Sequence, residues 1–485
     1  MDRAALPVDA FIDPTGGNRD AIAAAMAQVS EQILAHLTQA ATRSPLPPIE
    51  KGSDLPTAIP PLPTDTATLL GHVQTLLAES MNPAHPGYLG HMDPMPSTLS
   101  LLGDWLAAAL NNNMLSVEMS PVFSRLEPQL MQEIAGLFGL GPAAGGLLVS
   151  GGSLANLQAI AVARNVKLDV LDRGLVGLEK PPVLFTSELA HTSIRKAAMV
   201  LGLGTSGVVS IPTDAANRMD PQALEAAIAA AIAAGQQPFA LVATAGTTVT
   251  GSIDPLPALA DIAQRHDLWF HVDAAYGGAL IFSPQHRDRL QGIERADSVT
   301  FNPQKWLYVT KTCASVLFRQ FDHLHHHFQI AAPYMNTAAD WPNLGELTLQ
   351  GTRHVDVLKL WLTLHHFGQQ GCAALVDASY TLTDQFVQAI GDRPYLALAS
   401  EPDMNLICFR GCPDWVERDR WDDWNQALQA HLLHRGHCFL SLPLYRQERW
   451  FKAVLLNPFT ETTTLAAMFA ELDRFAAQGA GWNTP

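Results

Sequence analysis

From about residue 145 to residue 273 the chain alternates short, continuously apolar runs with longer stretches of helical spacing. Residues 146–149 run into Ser150-Gly151-Gly152-Ser153, and a helical pattern follows over 154–164. Residues 183–186 and 208–211 read as strands, 220–234 as a helix, 239–243 as a strand, 255–266 as a helix and 268–272 as a strand. Apolar runs without alternation, each followed by a helix, predict an α/β fold with a mostly parallel sheet covered by helices on both faces. Ligands of such sheets bind at the carboxyl ends of the strands, which is where Ser150, His191, Thr247 and Asp273 are expected to collect.

The flanks read differently. Residues 19–42 carry a helical pattern, seven prolines between residues 45 and 63 favour an extended arm, and helical spacing resumes over 65–79. After about residue 375 the chain reads as a smaller α+β unit with strands near 404–409 and 450–456. This gives three parts: a helical, proline-rich segment (1–84), a large α/β domain (85–374) and a small α+β domain (375–485), with no internal repeat.

Composition narrows the function classes. The 485 residues are 48% hydrophobic and 16% charged, which suits a large enzyme with extensive buried or subunit-interface surface. A net charge of −16 argues against nucleic acid, since nothing would neutralise phosphates at density. Five irregularly spaced cysteines fit a reducing cytoplasm better than a disulfide framework. No apolar run reaches the ~18 residues of a membrane span, and the first twenty residues lack the apolar core of a secretory signal. The tract His323, His325, His326, His327 reads as a solvated segment, because three adjacent histidines cannot point one way. Cys408 and Cys412 with His431, His434 and His437 lack paired ligand spacing, so no metal is expected.

The chemistry centres on two residues. Asp273 ends an apolar strand in His271-Val272-Asp273-Ala274-Ala275-Tyr276-Gly277-Gly278, and Lys305 sits in a polar turn in Asn302-Pro303-Gln304-Lys305-Trp306. A lysine amine to bind an aldehyde covalently, and an aspartate to keep a pyridinium nitrogen protonated, are what a pyridoxal 5'-phosphate (PLP) enzyme needs. Ser150-Gly151-Gly152-Ser153 ends a strand and opens a helix, so its backbone amides can hold a phosphate; an ordinary turn is the plainer reading.

These blocks resemble the signatures of the group II PLP-dependent amino-acid decarboxylases, which include the aromatic amino-acid, glutamate and cysteine-sulfinate enzymes. The similarity runs from about Pro83 to Gly371, through His85-Pro86-Gly87-Tyr88, Ser120-Pro121-Val122-Phe123, Ala243-Thr244-Ala245-Gly246-Thr247-Thr248 and Arg353-His354-Val355-Asp356. The resemblance implies a fold-type-I homodimer with active sites at the subunit interface, decarboxylating an L-amino acid with PLP. It implies that Gly152, Ser153, Asn302 and Gln304 hold the cofactor phosphate, although Gln304 replaces a histidine common there. It places His191 against the pyridine ring, Thr247 near the ring hydroxyl, Ala275 beneath the ring and Lys305 on the cofactor aldehyde. Tyr334, in Pro333-Tyr334-Met335-Asn336, matches a lid tyrosine that protonates the substrate carbon, with His191 as the other donor.

Substrate identity stays open. His91 stands at a pocket position, with Asp93 nearby favouring a cationic side chain and the partner's Met114 and Leu115 expected to add an apolar wall. Arg353 has two readings, a bidentate carboxylate ligand or a structural ion pair with Asp356. Pocket apolarity points to aromatic substrates and motif similarity to acidic ones. Two other outcomes compete: an aldehyde-forming oxidative deaminase, which retention of Tyr334 opposes, and a PLP- or nucleotide-binding protein without turnover, which the Lys305, Asp273 and His191 set opposes.

Overall fold

The computed structural model describes residues 6–47, 55–332 and 341–479. Two helices, α1 (Arg19–Thr38) and α2 (Thr66–Glu79), form an N-terminal arm; Asp65 caps α2 by accepting the Thr68 N–H at 2.9 Å. Neither helix buries a residue, and Met26, Leu34, Leu69 and Leu76 are exposed along them. Helices α3 (Thr98–Leu110) and α4 (Phe123–Leu137) lead into the sheet, and α3 exposes Trp105, Leu106 and Leu110.

The large unit runs β1 (Gly145–Val149), α5 (Gly152–Leu168), β2 (Pro182–Ser187), α6 (Ser193–Val200), β3 (Val208–Ile211) and α7 (Pro221–Ala233). It continues with β4 (Gln237–Thr244), α8 (Leu256–Arg265), β5 (Trp269–Asp273), β6 (Ser298–Phe301) and β7 (Ala314–Phe318). The seven strands lie in the order β1-β7-β6-β5-β4-β2-β3. Strands β3, β2, β4, β5 and β6 pair in parallel, as their unbroken apolar runs imply, whereas β7 is antiparallel to both β6 and β1. Every residue of β1, β5, β6 and β7 is buried, which is why these strands show no polar alternation.

Beyond the sheet lie α9 (Asp322–His327) and α10 (Asp356–Gly391), the latter kinked at Gly368, where φ is +61°. The histidine tract is α9 and is mostly not solvated: His323 packs on Trp269 at 5.4 Å and His325 against Phe321 at 5.7 Å, leaving His326 exposed. The C-terminal part contains β8 (Leu396–Leu398), β9 (Leu406–Gly411), α11 (Trp421–Arg435), the hairpin β10 (Leu444–Tyr445) and β11 (Glu448–Arg449), β12 (Phe451–Val454) and α12 (Thr462–Ala476). Its sheet is antiparallel, ordered β12-β9-β8.

Two hydrophobic clusters meet along α10. Val376 and Tyr380 belong to the cluster on the large sheet and Phe386 and Ile390 to that of the small one, so residue 374 lies inside a continuous helix. Leu89 packs with the small cluster, accepting the Val454 N–H at 2.7 Å and donating to the Phe439 carbonyl at 2.9 Å. This clamp ties the loop before His91 to β12. Among the described residues no helix is long and apolar enough to cross a membrane.

Candidate active site

Asp273 is the last residue of β5, in register with Thr244 on one side and Thr300 on the other. Its carboxylate is held at both oxygens: Oδ1 accepts the Ala275 N–H at 3.1 Å and Oδ2 accepts Asn156 Nδ2 at 2.8 Å. Lys305 enters from the turn after β6, which is closed by its N–H to the Asn302 carbonyl at 3.0 Å and braced by Gln304 Oε1 accepting the Cys313 N–H at 2.6 Å. With Oε1 committed, Gln304 offers its NH2 to a ligand. Burial lowers the pKa of the Lys305 amine, and the negative charges of Asp273 and Asp93 oppose that shift.

The two residues share a cavity of about 290 Å³. Gly152, Ser153, His191, Ala275, Asn302 and Gln304 line it with them, as do Asn156, Thr244, Gly246 and Thr248. Gly151, at φ +98°, opens α5 with no side-chain cap, so the first amides of the helix face the cavity with the positive end of its dipole. A Cβ on Gly152 would lie 2.7 Å from Asn302 Nδ2, while Asn302 Oδ1 and Thr244 Oγ1 are buried without a hydrogen-bond partner among the described residues. His191 is also shifted down by burial, against the pull of Asp273, and its Nδ1 lies 2.9 Å from Ser193 Oγ.

Other expected positions fall elsewhere. Thr247 is buried in its own turn, with Oγ1 bonded to Thr250 Oγ1 at 2.7 Å and accepting the Ser252 N–H at 3.0 Å; its neighbours Gly246 and Thr248 line the cavity instead. Arg353 does not pair with Asp356. Its guanidinium is buried 2.5 Å from Glu127 and 2.7 Å from the Leu148 carbonyl, because the carboxylate of α4 needs a counter-charge behind β1. Asp356 instead pairs with the buried Lys359 at 3.0 Å, as does Asp104 at 3.1 Å, so the carboxylates of the group Asp104, His354 and Asp356 already share a cation. Met114 is fully buried in its own subunit's core and cannot form an outer wall, whereas Leu115 is half-buried against Gly345. Tyr334 lies outside the described residues.

Two residues were not singled out by sequence reasoning. Asn156 lies one helical turn after Ser153, and that spacing is a signal that points it at the strand ends. Lys452, on β12, is buried with only 6% of its surface exposed, and no partner for its ammonium group exists among the described residues. Burial and the nearby Lys305 push its pKa down to about 8, with Asp93 opposing. Ser441 accepts the Lys452 N–H at 2.8 Å and donates its hydroxyl to the Gly90 carbonyl at 2.6 Å, which seats Lys452 beside His91. His91 rests on Tyr88 and Phe439, and Asp93 is paired with Lys311 at 2.5 Å.

Residues 48–411 match the model of the pyridoxal-dependent decarboxylase conserved domain. The chain belongs to this family. As a pyridoxal-dependent decarboxylase it is a carboxy-lyase that uses PLP to remove CO2 from an L-amino acid. It is 34% identical to cysteine sulfinic acid decarboxylase of Mus musculus over 423 residues, 84% of this chain and 85% of that protein. The crystal structure of mouse CSAD superposes with a TM-score of 0.89 at 30% identity, covering 95% of this chain and 99% of that one. The structure of Oryza sativa TDC with PLP and tryptamine also gives 0.89, at 21% identity over 96% and 99%, which shows the shared fold alone. The fold is thus the fold-type-I architecture of PLP decarboxylases.

The residues present fit that cofactor. An amine with a lowered pKa, a carboxylate fixed at both oxygens, an uncapped helix N-terminus and orphaned polar atoms border one cavity. Gly152 leaves there the space that a Cβ would fill.

Proposed function

We propose that this decarboxylase acts on an L-amino acid with an anionic side chain. The observation that carries the reading is Lys452: a buried cation beside Lys305 and His91, while the neighbouring carboxylate, Asp93, is committed to Lys311. A spare cation favours an anionic side chain over an aromatic or basic one. The similarity to cysteine sulfinic acid decarboxylases, whose named substrate is acidic, supports the same class.

In this reading the Lys305 amine would hold the cofactor covalently, and the charge of the Asp273 carboxylate would keep a proton on its ring nitrogen. When bound, PLP supplies the electron sink for the pair left as CO2 departs. The amides of Gly152 and Ser153, with Asn302 and Gln304, would hold the phosphate, and Ala275, being small, would leave room for the ring beside Asp273. His191 would pack against the ring. Tyr334 returns a proton to Cα, a role resting on the family resemblance of its segment. We assign Arg353 the buried ion pair with Glu127 in preference to carboxylate binding. The molecule works as a cytoplasmic homodimer: the apolar residues exposed on α1, α2 and α3 need a cover, and a second copy supplies one.

A screen of the common amino acids and cysteine sulfinate, detecting CO2, amine and hydrogen peroxide, tests the reading. Acidic substrates should lead, with amine as product. Lys452→Met should raise KM for them about 10- to 100-fold, the value of one charge-assisted bond. A preference for aromatic or basic amino acids would overturn it.

A further inference from the structure

Beneath Asp273 lies a hydrogen-bonded chain with a one-way group at each end, a carboxylate that only accepts and an indole that only donates. Asn156 Nδ2 faces Asp273 Oδ2 at 2.8 Å, and a carboxylate only accepts, so the amide's NH2 end must point there. Its Oδ1 then accepts from Thr300 Oγ1 at 2.7 Å and faces His271 Nε2 at 3.1 Å, which must therefore carry hydrogen. The other end agrees. Trp269 Nε1 can only donate, and gives its hydrogen to Ser298 Oγ at 2.8 Å, so the hydroxyl hydrogen is free for His271 Nδ1 at 2.8 Å. Asn156 Nδ2 also donates to Ser193 Oγ at 2.9 Å, so the Ser193 hydroxyl points at His191 Nδ1, 2.9 Å away. The Ser193 N–H, at 3.2 Å, faces the same nitrogen.

We propose that Asn156 is a positioning residue that holds Asp273 as an accepting carboxylate and, through His271 and Ser193, holds both imidazoles neutral with their protons on Nε2. His191 then presents an N–H donor to the cavity, suited to a substrate carboxylate and not to taking up a proton. Asn156, His271, Ser298, Thr300 and Ser193 are each at most 1% exposed, so water cannot substitute for a missing partner. Burial lowers the pKa of both histidines, in keeping with their neutrality. Asp273, His191 and Lys305 are the titratable groups facing the network, with Lys196 beyond His191.

The inference rests on Asp273 and Lys305 forming the cofactor site, and its test is separable from theirs. In the purified full-length protein, Asn156→Asp sets a second carboxylate against Asp273, and the pair must share a proton. Equilibrium affinity for PLP should fall tenfold or more at pH 8.5 and recover toward wild type at pH 6. A loss independent of pH, or no loss, overturns the proposal. If Asn156→Asp does not fold, nitrogen NMR of the ¹⁵N-histidine-labelled wild type decides, with His271→Gln and His191→Gln spectra for assignment. Both rings should show protonated Nε2 and bare Nδ1 at pH 7, and either ring charged or carrying its proton on Nδ1 refutes it. Lys305→Ala separates the two readings: if it leaves PLP covalently bound, the site assignment is at fault, and if it does not, only the role of Asn156 is in question.

Discussion

The two walls of the cavity treat their polar groups in opposite ways. Under Asp273, on the ends of β5 and β6 and the inner face of α5, each donor from Trp269 to Ser193 has an acceptor within 3.1 Å. Beside it, at the end of β4 and in the turn after β6, Thr244 Oγ1 and Asn302 Oδ1 are buried with no hydrogen-bond partner among the described residues, and α5 begins without a cap. An orphaned polar group costs about 1–3 kcal/mol, and the Thr244 hydroxyl and the first amides of α5 are donors that a bound phosphate can satisfy. The closed wall sets the electrostatics before any ligand arrives, and the open wall is completed by the ligand. Electrostatic preorganisation is therefore assigned to the closed wall, and the open wall contributes to affinity alone.

Breaking the covalent anchor should have the largest effect. Lys305→Ala is expected to lower turnover on the order of 10⁴-fold or more and to remove the visible absorbance of the lysine-bound cofactor. A reducible PLP adduct on the variant would contradict this. Asp273→Asn comes next. It keeps the shape of the closed wall but removes its charge and sets an NH2 against one of the two donors, the Ala275 N–H or Asn156 Nδ2, so kcat should fall about 10²–10³-fold and stability by about 1–3 kcal/mol. The open wall should respond in affinity instead. Gly152→Ala brings a Cβ to 2.7 Å from Asn302 Nδ2, and PLP should bind about tenfold more weakly, with kcat at saturating PLP near wild type. If Gly152→Ala lowered kcat as much as Asp273→Asn, the division between the walls would fail.

The parallel strands and the Asp273 and Lys305 positions were legible because each is a local pattern: an apolar run and the polar residue that ends it. Strand β7 went unread because Ala314–Phe318 is short, buried along its length and reversed, and no local feature announces a reversal. Residues whose meaning depends on distant partners were also hidden. Arg353 could be given a partner only from its own vicinity, whereas its actual one, Glu127, reaches it from α4. Lys452 belongs to a different sheet and is brought near His91 and Lys305 through the Leu89 clamp, a long-range contact that spacing cannot show. Asn156 was within reach, since helical spacing from Ser153 aims it at the strand ends, but an asparagine inside an alanine-rich helix carries no chemical signature of its own.

The smallest expected effect lies in the closed wall's response to acid. Burial pushes the pKa of His271 down to about 4, from an ordinary value of 6.5. The unfolded chain therefore binds a proton across that interval and the folded chain does not, so stability is full above pH 6.5 and falls as the pH drops toward 4. The slope approaches about 1.4 kcal/mol per pH unit for one site. Asp254 works in the opposite direction, its pKa being raised by burial to about 6, so the total pH dependence mixes the two. A difference measurement isolates the histidine. His271→Gln keeps a donor toward Asn156 without a titrating ring, and the Asp254 contribution is common to both proteins. Urea unfolding from pH 7 to 5 should show wild type losing stability relative to His271→Gln as the pH falls. Parallel pH profiles would mean that the proton is accepted in the folded state, and the closed wall would not be the rigid support inferred from its hydrogen bonds.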